Sequence, residues 1–299
     1  MCDYSYNEGS SYFRKNAFDI LSVDFKKPSI DNISFKDACV KRAGEIIASH
    51  PNMDFALSGG IWSYVSYISF VEAGYKPNVK IYKLPKYNNR QLNDNDVENA
   101  KKLANHVGSD IEVIEVNLRD CMLEHYIKIG AKYQTYNLEN SMLSHLAAMN
   151  KNDIFVADSM VFKRNVEPGW RLVLNEGEAF YHHRFNQLNR YKMVRSFFSS
   201  SDVLMSFMKL PIVEDIINDR IKNKLSTLTS MKKIFLSGGF DLPDRPFFQF
   251  SFSDALPEFN KKISLEIAQA LGFKKRIFTI KYNELREKLE DGDLTCNFI

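Results

Sequence analysis

Apolar residues recur along this chain in two alternating rhythms. From Ser34 onward, Phe35, Ala38, Cys39, Ala43, Ile46 and Ile47 fall at helical spacing and give way at Pro51-Asn52. Ser34-Phe35-Lys36-Asp37 reads as the capped start of that helix, with Asp37 where a capping box usually carries Glu. Met53–Leu57 is a short apolar run that predicts a buried strand, and the helix after Ser63 carries Val65, Ile68 and Val71 and stops at Gly74. Val79–Leu84 predicts a second strand. Asn95-Asp96 reads as the cap of a helix whose apolar face is Val97, Ala100, Leu103, Ala104 and Val107 and whose end is Gly108. Ile111–Val116 predicts a third strand, helical stretches follow near 119–130 and 137–149, and Asp153–Ala157 predicts a fourth strand. Strands separated by helices imply a parallel sheet with right-handed crossovers.

After about residue 160 the rhythm changes. Residues 163–192 are rich in Arg, His, Asn and aromatics without a clean period. Ser196–Lys209, Pro211–Lys224, Asn260–Leu271 and Tyr282–Leu289 read as helices, and 226–250 reads as loop. The expected organisation is an N-terminal arm or hairpin over 1–33, an α/β domain over 34–160 and a mainly helical region over 161–299.

Composition narrows the function classes only a little. The chain has 299 residues, 44% of them apolar, which is ample for a large core and two domains. Its net charge of +3 comes without a dense Lys/Arg stripe, so nucleic acid is not indicated. Four scattered cysteines without a Cys-x-x-Cys pair argue against a zinc site or a redox dithiol. No signal sequence and no apolar run of membrane-spanning length is present, so a reduced cytoplasmic setting is expected. Cys2 stands directly after Met1 and invites the idea of an N-terminal nucleophile that takes ammonia from glutamine. Only about fifty residues precede the next motif, too few for a typical domain of that kind, and Cys2 is read as an incidental thiol.

The chemistry is concentrated in Asp54-Phe55-Ala56-Leu57-Ser58-Gly59-Gly60-Ile61-Trp62-Ser63. A strand, a glycine turn and a helix N-terminus form an anion site, because first-turn N–H groups lack helical partners and the helix dipole favours negative charge. Gly59 and Gly60 permit close backbone approach and dihedrals closed to other residues. Ser58 and Ser63 add hydroxyls. The plain alternative is a tight strand-to-helix turn in any α/β domain.

Ala56–Ser63 resembles the Ser-Gly-Gly-x-Asp-Ser loop of the PP-loop ATP pyrophosphatases. The order of elements is similar too, with Val79–Leu84, Asn93–Asp96, Ala100–Gly108 and Ile111–Val116 in the family's sequence of strand, polar helix start, helix and strand. Asparagine-synthetase-like members, including small phage-encoded ones without a glutaminase domain, also carry a Phe-Phe helix ahead of a Pro. Phe197-Phe198 and Pro211 match that pattern, and Arg245-Pro246-Phe247 stands where the family has a late Arg-x-Lys segment. The resemblance covers roughly residues 36–160.

That resemblance implies a Rossmann-like sheet of the adenine nucleotide alpha-hydrolase type, with ATP and Mg²⁺ as cofactors. It implies that a substrate carboxylate or carbonyl oxygen attacks the α-phosphate, that pyrophosphate leaves, and that an amine or thiol then displaces AMP. Ser58, Gly59, Gly60, Ile61 and Ser63 would hold the pyrophosphate, Asp158 and Ser159 past the fourth strand would contact ATP or substrate, and Arg245 would reach the nucleotide. The acceptor is an unknown small molecule or macromolecule, and a protein partner or a second copy is open. The implied location is cytoplasmic, in a host cytoplasm or a virion if the protein is viral.

Two positions depart from the pattern. Trp62 stands where the family loop has Asp, and an indole cannot ligate a hard cation that wants oxygen. It is also bulkier than a carboxylate and is expected to crowd the phosphate site. Phe247 stands where a Lys is expected. Three expectations follow: an adenylating ligase, a catalytically inactive descendant that serves as a binding or structural component, or a generic nucleotide-binding regulator that binds ATP without releasing pyrophosphate.

Other candidates have plain readings. Asp96 is read as a helix cap before a metal or nucleotide ligand. Asp158-Ser159 is equally a polar strand-end turn. His182-His183 with Glu176 and Glu178 reads as solvated surface, since adjacent histidines on a strand face opposite ways. Lys163, Arg164, Arg171, Arg184, Arg190 and Arg195 read mostly as surface charge, and Lys232-Lys233 as part of a loop beside the site. A second Ser237-Gly238-Gly239 is followed by Pro243 and Pro246, which disfavour a helix there, so it is read as a turn.

Overall fold

Phe55 and Ala56 are buried on opposite faces of one short strand, and each belongs to a different apolar cluster. The same alternation holds for Ile154, Phe155 and Val156 and for Met193 and Val194. A strand has a side-chain period of two, so a sheet with both faces apolar must be covered on both sides. The computed structural model has this architecture; it describes residues 3–6, 12–14, 19–86, 92–117, 126–135, 138–160, 162–164, 169–221, 225, 228–245, 247, 266, 269–270 and 276–298.

The strands are β1 Asp3–Tyr6, β2 Leu21–Lys26, β3 Asp54–Ala56, β4 Val79–Lys83, β5 Ile111–Glu115, β6 Ile154–Val156, β7 Phe162–Arg164, β8 Trp170–Asn175, β9 Met193–Val194, β10 Ile277–Lys281 and β11 Asp293–Phe298. The helices are α1 Phe35–Ser49, α2 Ile61–Glu72, α3 Asp94–Val107, α4 Tyr126–Tyr133, α5 Leu138–Met149, α6 Glu176–Ala179, α7 Tyr181–Leu188, α8 Ser201–Met208, α9 Pro211–Ile217, α10 Leu228–Ser237 and α11 Tyr282–Asp291.

The central sheet has five parallel strands in the order β5-β4-β3-β6-β9. Counted within the sheet this is 3-2-1-4-5, a doubly wound, Rossmann-like order. Residues of α1, α2 and α3 share one cluster with Phe55, Val79, Ile81 and Phe155. Tyr133 of α4, Ala147 of α5, and Tyr181 and Phe185 of α7 share the other with Ala56, Ile154, Val156 and Met193. The winding reverses between β3 and β6, so their carboxyl ends flank a crevice.

Two antiparallel sheets complete the fold, β1-β2-β11 and β10-β8-β7. The 1–33 region thus contributes an antiparallel strand pair. Among the described residues, the region after 160 contributes six helices together with five strands, and one of these, β9, joins the parallel sheet. Among the described residues no helix is long and apolar enough to cross a membrane.

Several local expectations are corrected. The 226–250 stretch is not all loop. Met231, Ile234 and Phe235 pack inward from α10, and Lys232 and Lys233 therefore lie on a helix. Ser237-Gly238-Gly239 closes that helix, its two glycines in a turn as expected: Phe240 N–H donates to Phe235 O at 3.1 Å, and Gly239 takes φ +94°. The segment after β9 is a turn through Phe197–Ser199 before α8, so the helix begins at Ser201 and not at Ser196. Cys2, Cys121, Pro246 and most of Asn260–Leu271 lie outside the described residues.

Candidate functional site

The Ser58–Ser63 loop leaves the carboxyl end of β3 at the reversal point of the sheet. Gly59 takes φ +79°, and a Cβ added there would stand 2.1 Å from the backbone oxygen of Asp96. Both the dihedral and the close approach demand glycine. Gly60 differs: it is the N-cap of α2 at φ −71° and ψ 163°, open to any residue, so only one of the two glycines is required by its backbone.

The loop braces itself. Ser58 N–H donates to Ser63 Oγ at 3.1 Å, and Gly60 N–H donates to Ser58 Oγ at 3.3 Å. Ser63 is buried and held in this role, whereas Ser58 is exposed. The first-turn N–H groups of Ile61, Trp62 and Ser63 find no acceptor among the described residues, so the start of α2 keeps open donors that an anion could take.

Asp96 is not the cap of α3. That position is Asn93, and its side chain is used elsewhere, accepting from Leu84 N–H at 2.9 Å and donating to Tyr82 O at 2.8 Å. Asp96 sits in the first turn, 7% exposed, packed against Gly59. Burial pushes its carboxyl up to about 6, against the pull of Arg245. Arg245 lies with its guanidinium 4.5 Å from the ring centre of Phe247 and 6.0 Å from that of Tyr64. Burial lowers its affinity for its proton, while Tyr64 and Asp96 oppose that. The structure thus gathers Gly59, the start of α2, Tyr64, Asp96 and Arg245. Phe247 supplies a stacking surface for the arginine.

The Trp62 indole is spent on the core. Its ring centre is 4.7 Å from Phe198 and 5.0 Å from Phe235, both nearly edge-on. Its bulk goes into this aromatic contact rather than standing free at the loop.

Asp158 follows β6 on the other side of the crevice, and its carboxylate is engaged. Oδ1 accepts from Phe197 N–H at 3.0 Å and Phe198 N–H at 3.1 Å, and Oδ2 accepts from Ser199 Oγ at 3.2 Å. It ties the end of β6 to the turn after β9. Ser159 is exposed beside it.

The histidine pair is not solvated surface. His182 and His183 lie on α7, and His182 is 5% exposed. His183 stacks on Tyr12 with ring centres 4.5 Å apart. Burial, with Arg184 adding to it, lowers His183 to about 4, and burial beside His183 holds His182 well below the usual range. With Arg42, His50, Lys192 and Ser196 they line a cavity of about 450 Å³ near β9, which no residue of the 58–63 loop lines.

In that cavity Ser196 takes φ +66°, with its Oγ 3.5 Å from His182 Nε2. The amides that follow Ser196 already donate to Asp158, so they are not free to hold an oxyanion. Arg184 is fully buried rather than superficial. It donates to Glu176 at 2.9 Å and to the carbonyls of Tyr12 and Gln134 at 2.7 and 2.8 Å. Pattern reading took these residues for surface because Tyr12 and Gln134, whose carbonyls hold Arg184, lie 172 and 50 positions away in sequence.

No protein-family model matches the chain, and no curated protein matches it. Solved structures with some likeness include an NMN synthetase from Francisella tularensis, with a TM-score of 0.29 and 18% identity over 42% of this chain and 53% of that one. An NH3-dependent NAD synthetase from Campylobacter jejuni gives 0.31 and 11% identity over 71% and 97%. A glutamine-dependent NAD+ synthetase from Acinetobacter baumannii in complex with ADP gives 0.31 and 13% identity over 73% and 48%. The chain spans about half the length of the first of these.

Proposed function

We propose that the chain binds ATP with its phosphates on the 58–63 loop and acts as an adenylating ligase of the PP-loop ATP pyrophosphatase type, akin to asparagine-synthetase-like members. The observation that carries this reading is Gly59. Its φ of +79° and its packing against Asp96 fix the turn that presents the start of α2 at the reversal point of the sheet. Backbone N–H groups of Ile61, Trp62 and Ser63 hold phosphate oxygens, and Arg245 neutralises charge beside them.

In the reaction, a substrate carboxylate oxygen bonds to the α-phosphorus as the α–β phosphoanhydride bond breaks, and pyrophosphate leaves with the electron pair. A nitrogen nucleophile then bonds to the activated carbon, and AMP departs with the former carboxylate oxygen. The loop stabilises the charge that gathers on the leaving pyrophosphate.

Trp62 favours a second reading, a chain that has kept the nucleotide fold and lost turnover, serving as a binding or structural component. Calorimetric titration with ATP and Mg²⁺, followed by a pyrophosphate-release assay on the same sample, separates the readings. Binding with release supports the ligase, and binding without release supports the inactive form. Failure to bind at millimolar ATP removes the ligase and leaves the structural component, which is then pursued through its partners.

A further inference from the structure

Among the described residues, Asp96 Oδ1 is buried without a hydrogen-bond partner, and so is Arg245 Nη1. Asp96 is 7% exposed, and its backbone contacts the point where a Gly59 side chain would begin. A buried carboxylate with an open lone pair is costly until a donor or cation reaches it. Arg245 acts on it through space but does not close that lone pair. A triphosphate on the adjacent helix start would bring further negative charge to the loop that the Asp96 backbone touches, and like charges in a shielded site repel strongly. Position 62 gives a bridging cation nothing, because its indole packs on Phe198 and Phe235.

Resting on the ATP-binding reading above, we infer that Asp96 is the protein ligand of a divalent cation that binds together with the triphosphate, doing from helix α3 the charge bridging that position 62 of the loop does not do. Mg²⁺ suits such a place: it takes one or two carboxylates, fills its shell with phosphate oxygens and waters, and needs no cage made wholly of protein. Among the described residues no three His, Cys, Asp or Glu side chains gather as a cage, so the cation enters with the nucleotide and not before it. Asp94, two residues earlier, also has an open Oδ1, but positions i and i+2 of a helix do not face each other, so a single carboxylate is assigned.

The test is calorimetric titration of the full chain with ATP, with and without Mg²⁺, for the natural protein and Asp96→Asn. Mg²⁺ alone is expected to give no heat of binding. Mg²⁺ is expected to tighten ATP binding by about tenfold or more in the natural protein, the scale of one desolvated charge contact. In Asp96→Asn, Mg²⁺-free ATP is expected to bind more tightly than in the natural protein, and the Mg²⁺ gain is expected to vanish. An equal Mg²⁺ gain in both proteins overturns the assignment of Asp96, and so does an equal loss of affinity with and without the cation. If Asp96→Asn does not fold, the natural protein decides alone: ATP binding that ignores Mg²⁺ overturns the inference while sparing the phosphate loop. Absence of ATP binding under every condition overturns the loop reading itself and the inference with it.

Discussion

The backbone oxygen of Asp96 stands 2.1 Å from where a side chain on Gly59 would begin. Helix α3 and the 58–63 loop therefore touch backbone to backbone, and any Cβ at position 59 must push them apart from a left-handed conformation. Gly59→Ala is expected to cost about 2–4 kcal/mol and to abolish ATP binding. At Gly60 an added Cβ meets only Ser58 Oγ, at 3.4 Å, and φ is −71°. Gly60→Ala is expected to change stability by no more than about 0.5 kcal/mol. Thermal unfolding of the two variants side by side checks the contrast.

Trp62 makes a similar split between packing and chemistry. The change to Asp would match the loop pattern the sequence resembles, but it would take an indole from between Phe198 and Phe235 and set a carboxylate among aromatic rings. Trp62→Asp is expected to lose about 3 kcal/mol or more, whereas Trp62→Phe loses less than half of that. Urea titration monitored by circular dichroism measures both. Equal midpoints would mean that the indole contributes little to the core.

Glu176 sits between two arginines, 2.9 Å from Arg14 and 2.9 Å from the fully buried Arg184. Removing the shared anion leaves a buried cation without its counter-charge. Glu176→Ala is expected to destabilise by about 3–5 kcal/mol, and Glu176→Gln by less, since the amide oxygen still accepts. Denaturant midpoints check the order.

Acid should act through α7. His183 is held at about 4, against about 6.5 for a free histidine, by burial first and Arg184 second. The folded chain therefore declines a proton that the unfolded chain accepts. Stability is complete above pH 6.5 and falls as the pH drops from 6.5 towards 4, by on the order of 3 kcal/mol for His183 alone. His182 acts in the same direction. Urea midpoints at pH 7, 6 and 5 are expected to fall, and His183→Gln is expected to flatten the slope. A natural protein as stable at pH 5 as at pH 7 contradicts this.

Much of the sheet was legible because its signals are local. Ser34 caps α1, accepting from Asp37 N–H at 3.1 Å, and Gly108 ends α3 at φ +74°, both as the residue types imply. Strands β3, β4, β5 and β6 fall within the predicted apolar runs. Local signals also misled. Nearby prolines and a Ser-Gly-Gly made 226–250 look like loop, although Met231, Ile234 and Phe235 keep helical spacing. The two-residue β9 carries too little pattern to stand out from its polar surroundings. At the site, the glycine turn could be read from the chain. The meeting of Asp96 with Arg245 could not, because 149 positions separate them and only packing brings them together.

The pairing of β2 with β11 has a consequence for the order of folding. Thr295 Oγ1 donates to Asp24 Oδ1 at 2.7 Å across a separation of 271 residues. The parallel sheet is complete once β9 has been made, about a hundred residues earlier. On a ribosome the parallel sheet can thus assemble while β2 still exposes one unpaired edge. That edge is covered only when β11 arrives, after the longest loop closure among the described strand pairings. Until then the growing chain carries an open template for another strand, and this is the stage at which a second copy would most readily add itself to the sheet.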